Sequence, residues 1–515
     1  MQKKYPYLII IAIAIASRLL MPNLLLDDAY ISLKVSKNLA EHGEMVFNSG
    51  EKVYSITNPA WTMILAALRL TGVDVVKCAW LAGLLCEILI GMALIKFSEK
   101  VLQSPWYGLF AATVFLTNPI FTITSIGGME IALSMLTIIM AFDSLARGKA
   151  GMALVFASYA VWVRVDNLIL LSIVFLWIVG KRMISKNYKI LIAPSIILLV
   201  YLALGWIYFG SPFPISVFRK AAFVTNTGWF MGTLIIAREF IFTLFGRCTA
   251  YGLNGSILFA MIPFAIYGIF IVILNKRKEL FPLLSFSAIY FLIYSLTGNT
   301  YAVLFPWYFL PPAAGILIAA VVGIKNLLDK IKLNPKTAIS LIVAISLAWS
   351  SITIVSNNEK LKRFVDTIFL TREKTYAAAS VWLSLYLPQN SIICTPEIGA
   401  VGFFCRPDLK ILDMVGLTRP LSDTRKPVQL VKEENVEAII YWLLPGQTFD
   451  QIAQVYPKYQ WGEIGEVMIG IRKDLAPKIM EKSWQIPQII KSIDISHEFD
   501  WKNHQQQTNS TKTES

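Results

Sequence analysis

Tyr5–Met21 reads YPYLIIIAIAIASRLLM, and Asp27-Asp28-Ala29-Tyr30-Ile31-Ser32 follows it closely. The first stretch is apolar for nearly the length a membrane helix needs. The second sets two adjacent carboxylates at the water boundary just beyond it. An acidic pair in that position is costly unless it has a partner or a task. The blander alternative is a helix cap, because Asp27 or Asp28 can accept backbone N–H groups where a helix begins at Ala29. On these residues alone both alternatives stand open. Lys3-Lys4 ahead of an apolar run also fits a signal peptide. No small-x-small cleavage site follows, so the stretch is expected to remain as a first span.

The rest of the chain favours a membrane. Of 515 residues, 56% are hydrophobic and only 16% charged; the mean hydropathy is +0.59. A soluble protein carries about a quarter charged residues, so the composition predicts a polytopic α-helical membrane protein. The net charge of +14 does not point to nucleic acid, since the basic residues cluster between apolar runs and orient spans. Five cysteines and three histidines show no metal-ligand spacing. Cys394 and Cys405 can pair if their region lies outside the cell.

Basic clusters mark the cytoplasmic side: Lys3-Lys4, Lys96 with Lys100, Arg147 with Lys149, Lys181-Arg182, Lys276-Arg277-Lys278, and Lys325 with Lys330. Threading the apolar runs between them gives about eleven spans. They are Tyr5–Met21, Ala79–Ile95, Trp106–Thr122, Ile131–Leu145, Met152–Val163, Leu168–Val179, Ile190–Phe209, Ile257–Leu274, Phe281–Leu296, Leu304–Val322 and Ala338–Val355. Asp28–His42, Pro59–Thr71 and Trp229–Phe245 are expected as interfacial helices, with Trp61 as an anchor. The transmembrane domain then covers 1–356, with the N-terminus cytoplasmic.

This threading gathers Asp27, Asp28, Glu130, Arg164, Asp166, Arg219 and Lys220 on the outer side. Each has an ordinary explanation. Glu130 can open a helix, Arg164 and Asp166 can form a plain ion pair, and Arg219-Lys220 can hold lipid phosphate. Together they form a rim of acids and cations at one face, the pattern of a reaction site. Past Ser356, residues 357–372 predict a linker and 373–475 a small extracytoplasmic α/β domain. Its strands are expected at Ser391–Thr395, Lys410–Asp413 and Val436–Trp442, with a hairpin over Trp461–Arg472. Residues 476–515 predict a polar, partly disordered tail.

With these residues laid out, the chain resembles the GT-C superfamily of integral-membrane glycosyltransferases, in particular its bacterial terminal β-(1→2)-arabinofuranosyltransferase-like branch. Asp27-Asp28-Ala29-Tyr30-Ile31-Ser32 is similar to the family's first-loop acidic motif. Gly43, Val46-Phe47-Asn48, Gly50-Glu51-Lys52-Val53 and Thr57-Asn58-Pro59 with Trp61 continue it in register. Gly128-Met129-Glu130, Arg164 with Asp166, Gly210 with Pro214 and Lys220, Glu397-Ile398-Gly399-Ala400, and Asp413 with Gly416-Leu417 resemble further marks. Trp307 stands before Tyr308 where an Arg is common.

The resemblance implies transfer of a sugar, with inversion, from a polyprenyl phosphate to an acceptor hydroxyl of a cell-envelope glycan or lipid at the outer face of the plasma membrane. Such chemistry needs a general base and cations on the departing phosphate. The expected base is Asp27, with Asp28 as close second and Glu130 orienting the acceptor. Lys220, Arg219 and Arg164 are expected on the phosphate. Tyr30, Asn58, Trp61, Asp166 and Tyr308 are expected along the substrate groove, which membrane lipids border. No obligate metal is expected; the alternative is a divalent cation, magnesium or manganese, at Asp27 with Glu130. Other functions compatible with a membrane rim of charges are a transporter or flippase of lipid-linked sugars and an oligosaccharide ligase or polymerase. A two-fold repeat, which would favour transport, is absent from the sequence.

Overall fold

The computed structural model describes residues 4–22, 24–221, 228–247, 257–298, 300, 305–365, 370–442, 448–464 and 467–501. Among the described residues three helices are long and apolar enough to cross a membrane by themselves: Val75–Leu102, Tyr188–Tyr208 and Pro335–Arg363. They contain three of the expected spans. Shorter apolar helices occupy Tyr5–Leu19, Ile131–Ala146, Ala150–Val163, Val165–Gly180, Leu258–Leu274 and Phe281–Leu296.

One expected span is not straight. Trp106–Thr122 divides into helices Pro105–Leu116 and Pro119–Ile126, bent by 66°. Asn118 causes the break. Its side chain accepts the N–H groups of Ile120 (2.9 Å) and Phe121 (3.3 Å), and Pro119 supplies a first-turn residue with no N–H to satisfy. A new helix therefore starts there in a new direction. A second expected span starts late: Pro306–Phe309 is a short 3-10 turn, and the helix runs Ala313–Lys330, beginning after Pro311-Pro312.

Small residues set the closest helix crossing. A Cβ on Gly268 would stand 1.7 Å from the Ala319 carbonyl oxygen, and one on Gly323 would stand 2.3 Å from that of Phe264. Helices Met261–Leu274 and Ala313–Lys330 thus pack backbone on backbone, the usual solution where lipid offers no hydrophobic drive. A buried ion pair ties the first helix to Val75–Leu102. Arg18 Nη1 donates to Glu87 Oε1 at 2.6 Å and to Ser125 Oγ at 2.9 Å, while Nη2 donates to the Trp80 carbonyl at 2.8 Å. The sequence reading passed over both charges, since each is a single polar residue in an apolar run.

The stretch expected as a linker is helical through Phe364, and a second helix covers Leu370–Tyr386. Five strands follow: β1 Ile392–Thr395, β2 Lys410–Asp413, β3 Ala438–Trp442, β4 Tyr459–Ile464 and β5 Val467–Arg472. Their order is β2-β1-β3-β5-β4. β1 runs parallel to β2 and β3, and β5 is antiparallel to β3 and β4. Side chains alternate across the sheet. Ile393, Ile411, Ile440 and Ile469 join the core that continues into the helical region, whereas Cys394, Leu412, Ile439 and Met468 form a separate core on the other face. Cys394 and Cys405 are therefore in different cores, and both are free thiols.

The stretch expected as a polar tail is ordered through Trp501. Helices Ala476–Met480 and Ile486–Ser492 lead to a strap across the first loop. Tyr30 donates its hydroxyl to the Ile495 carbonyl at 2.7 Å. Glu498 pairs with Arg69 (3.0 Å) and Lys37 (3.2 Å) and accepts the Val75 N–H (2.7 Å). Residues 502–515 lie outside the described residues.

The Arg18–Glu87 pair gives a direct test of packing. Arg18→Met leaves Glu87 buried without its cation, which costs about 3–5 kcal/mol. Thermal unfolding in detergent should show that loss, and Arg18→Met with Glu87→Met should recover most of it. A single variant as stable as the wild type would refute the structural role.

Candidate active site

The helix Asp27–His42 begins at Asp27 itself, with Leu26 in the capping position. Neither aspartate caps its own helix. Asp27 instead caps another segment: Oδ1 accepts the Ala400 N–H at 2.8 Å and Oδ2 accepts the Gly399 N–H at 3.2 Å. Gly399 is required by this approach, because a Cβ there would stand 2.0 Å from the Asp27 carbonyl oxygen. Tyr30, one turn along, is fully buried against Phe403 and Phe404, at ring distances of 5.2 and 5.6 Å. Tyr30 thus packs beneath the C-terminal domain and lines no open groove.

Helix geometry turns Asp28 about 100° from Asp27. One turn beyond Asp28 is Ser32, on the same face. Ser32 meets the second cluster through Asn58, whose amide donates to Ser32 Oγ (2.9 Å) and to Glu130 Oε2 (2.8 Å). The other Glu130 oxygen accepts Arg164 Nη1 at 2.9 Å. Arg164 closes a fork on Asp166 with Nε (3.1 Å) and Nη2 (2.6 Å), and its guanidinium lies 5.1 Å from the centre of the Tyr308 ring. Tyr290 and Tyr294 donate their hydroxyls to Asp166 at 2.8 and 2.9 Å. Trp61 donates its indole N–H to the Gly128 carbonyl at 3.1 Å. It is buried, not an interfacial anchor.

The structure therefore brings Glu130, Arg164, Asp166, Asn58, Trp61 and Tyr308 into one network, with Asp28 half-buried on its side of the first-loop helix. Charge-assisted bonds of this kind contribute about 1.5–3 kcal/mol each, so Arg164 is held by its two carboxylates and serves to fix them. Arg219 is engaged elsewhere: Nη2 donates to the carbonyls of Pro420 (3.0 Å) and Asp423 (2.5 Å). Lys220 belongs to the helix Ile215–Ala221; its side chain lies outside the described residues. Tyr290 and Tyr294 escaped the sequence reading because a tyrosine in an apolar run carries no signal of its partner.

The Asp27 side of the helix holds a group of its own. Arg372 Nε donates to Glu373 Oε1 at 2.8 Å, and Glu397 belongs to the same charge group. Burial raises the Asp27 carboxyl above its ordinary range, opposed by Arg372 and the Ala400 N–H. Burial likewise pushes Glu373 up to about 8, against the pull of Arg372, and holds Glu397 well above the usual range, reinforced by Asp27. Glu373 is fully buried, and its Oε2 has no hydrogen-bond partner among the described residues. A proton on that oxygen removes the cost of an unpaired buried charge.

The donor set does not suit a divalent cation. Asp27 is turned to Gly399 and Ala400, and Glu130 to Arg164 and Asn58. Among the described residues no three His, Cys, Asp or Glu converge in metal-ligand geometry.

A carboxyl whose proton is held more tightly in the folded state stabilises that state below its unfolded pKa and loses the contribution as pH rises through the folded one. For Glu373 the window runs from the ordinary value of 4.5 to about 8. Wild-type melting temperature should fall across that window relative to Glu373→Gln, which stays neutral. A constant difference between the two from pH 4.5 to 9 would show that Glu373 is ionised throughout.

No protein-family model matches the chain, and no curated protein sequence does. Solved structures do. ArnT from Cupriavidus metallidurans in the apo state aligns over 90% of this chain and 97% of its own, with a TM-score of 0.63 at 12% identity. The same protein bound to undecaprenyl phosphate aligns over the same shares, with a TM-score of 0.54 at 13% identity. A mutant of the arabinofuranosyltransferase AftD from Mycobacteria aligns over 92% of this chain but 42% of its own, at 13% identity and a TM-score of 0.44, too loose an overlap to bear on the sugar. The likeness to ArnT covers nine-tenths of the chain, and the chain shares the ArnT fold.

Proposed function

We propose that the protein is a membrane glycosyltransferase that moves a sugar from a polyprenyl-phosphate donor to an acceptor hydroxyl of a cell-envelope glycan or lipid. The observation that carries this is the pairing of an ArnT-like fold with the buried Glu130–Arg164–Asp166 network, which Asn58 joins to Ser32, one turn beyond Asp28 on the first-loop helix. The ArnT structure with undecaprenyl phosphate supports a lipid phosphate as donor handle. The outer face of the plasma membrane is the proposed site of reaction, with the N-terminus cytoplasmic, about eleven spans and the C-terminal domain outside.

Asp28 rather than Asp27 suits the base. The acceptor hydroxyl must lose a proton as its oxygen attacks the anomeric carbon, and the base must reach that oxygen. Asp27 is sealed behind Gly399, while Asp28 remains half-exposed. Glu130, fixed by Asn58 and Arg164, then orients the acceptor, and Tyr308 and Asp166 border the sugar. The polyprenyl phosphate leaves with the electron pair of the broken glycosidic bond, and Lys220 is the cation assigned to it. A single in-line displacement of this kind inverts the anomeric centre. Asp28, Glu130, Arg164 and Asp166 all stand at or beside helix ends, not along the middle of a span, which supports an enzyme over a flippase.

The test is donor turnover by purified protein in nanodiscs. Polyprenyl-phosphate arabinofuranose, mannose, glucose and galactose would be supplied with cell-envelope extract as acceptor, and release of polyprenyl phosphate followed. One donor should be consumed, and Asp28→Asn should slow it at least about 100-fold. Asp27→Asn should chiefly lower stability. Consumption of no donor refutes the transferase; full activity of Asp28→Asn refutes the base.

A further inference from the structure

A polar cleft of about 650 Å³ separates the first-loop segment Asn48–Val53 from the C-terminal loop that follows β2. Asn48 forms its floor. Its amide donates to the Ile411 carbonyl (2.9 Å) and accepts the Ile411 N–H (3.2 Å), which covers the open edge of β2 as a neighbouring strand would. The walls carry Lys52, Thr418, Arg419, Ser422 and Thr424.

Most charges around this cleft are matched. Lys410 pairs with Glu51 at 2.5 Å, and Arg425 is surrounded by Asp423, Glu433 and Glu434. Two guanidiniums remain with donors to spare. Arg419 is only 7% exposed. Its Nη1 lies 3.0 Å from Asp423, and its Nε has no hydrogen-bond partner among the described residues. Arg219 approaches from behind the same loop, and its Nε likewise has none among them. The two meet over Gly416. A Cβ at that position would stand 3.1 Å from Arg419 Nη2 and 3.3 Å from Arg219 Nε. Gly416 has a φ of +91°, and Asp413 fixes the turn by accepting the N–H groups of Val415, Gly416 and Thr418 at 2.8–2.9 Å. Two like charges are thus held near one another over bare backbone; Arg419 shares the Asp423 carboxylate with Arg425, while Arg219 meets only the Asp423 backbone carbonyl. Planar donor forks so arranged recognise carboxylate or phosphate.

We infer that this cleft binds the acceptor, and that the acceptor is an oligosaccharide carrying an anionic group, a carboxylate or a phosphate, held by Arg419, with Lys52 on the same lining and Arg219 behind the loop. The word acceptor rests on the glycosyltransferase proposed above; the anion site does not. The walls favour a glycan over the lipid donor. They are loops and a strand edge on which charged, hydroxyl and amide groups stand beside Val53, Ile411, Leu412 and Pro420, a mixture that suits a sugar with both polar and apolar faces. The volume falls within the usual range for small-ligand sites.

Calorimetric titration of the full-length protein in nanodiscs tests this with three probes: trigalacturonate, a glycerol-phosphate trimer and neutral maltotriose. At least one anionic probe should bind about tenfold more tightly than maltotriose, the ratio expected for one charge-assisted contact. Arg419→Gln should erase the preference. Ser422→Glu adds a negative charge at the exposed rim without removing any contact of Arg419, and should weaken the anionic probe by a similar factor in a protein of unchanged melting temperature. A fourth arm measures undecaprenyl phosphate, whose affinity should be the same in wild type and both variants. The inference is overturned if neither anion is preferred, if the preference survives both variants, or if undecaprenyl phosphate alone is weakened, which would assign the arginines to the donor. Anion binding without turnover of any donor would leave the cleft standing and remove the transferase; turnover without anion preference would do the reverse.

Discussion

The grip of the Asp27 carboxylate on the Gly399 and Ala400 N–H groups sets the geometry of everything around it. A buried carboxylate must be matched by donors, and these two come from the far end of the chain. Once Asp27 is committed there, the rotation of its helix is fixed. Tyr30 falls under Phe403 and Phe404, and Ser32, one turn beyond Asp28, falls toward Asn58, which also holds Glu130. The paired aspartates are thus separated by the pitch of an α-helix: Asp27 is committed to the C-terminal segment, and Asp28 is the one proposed for chemistry. The continuous core from the first helix to the sheet face of Ile393 and Ile469 follows from the same docking.

Much of this was legible in the sequence, for reasons that differ by element. Long apolar runs declare themselves, and Val75–Leu102 and Tyr188–Tyr208 fall where the hydropathy put them. The strands of the C-terminal domain are rich in β-branched residues and bounded by turn formers, so Lys410–Asp413 was found to the residue. The cluster of Glu130, Arg164 and Asp166 was also legible, because acids and cations stand out against apolar surroundings. What the sequence could not supply was pairing. Arg164 reads as a phosphate ligand, or as the partner of Asp166 alone, until Glu130 is also seen to close on it. Arg219 reads as a phosphate ligand until its guanidinium is seen on the Pro420 and Asp423 carbonyls. The 66° break at Asn118 left a signal, Asn-Pro inside an apolar run, that hydropathy averages away. Which of two adjacent aspartates faces the network depends on helix phase, and helix phase depends on Gly399, a partner 372 residues distant.

The strap formed by Ile495 and Glu498 carries a consequence for biogenesis. Tyr30 meets its acceptor across 465 residues, and Arg69 meets Glu498 across 429. A chain made from its N-terminus onward exposes Asp27, Lys37 and Arg69 long before any of their distant partners exists. Until then these charges need water, which confines the first-loop helices to the aqueous border while the later spans insert. Assembly of the site is thereby deferred to the end of synthesis. A half-made chain holds the acidic motif but not the fixed rotation that separates Asp27 from Asp28.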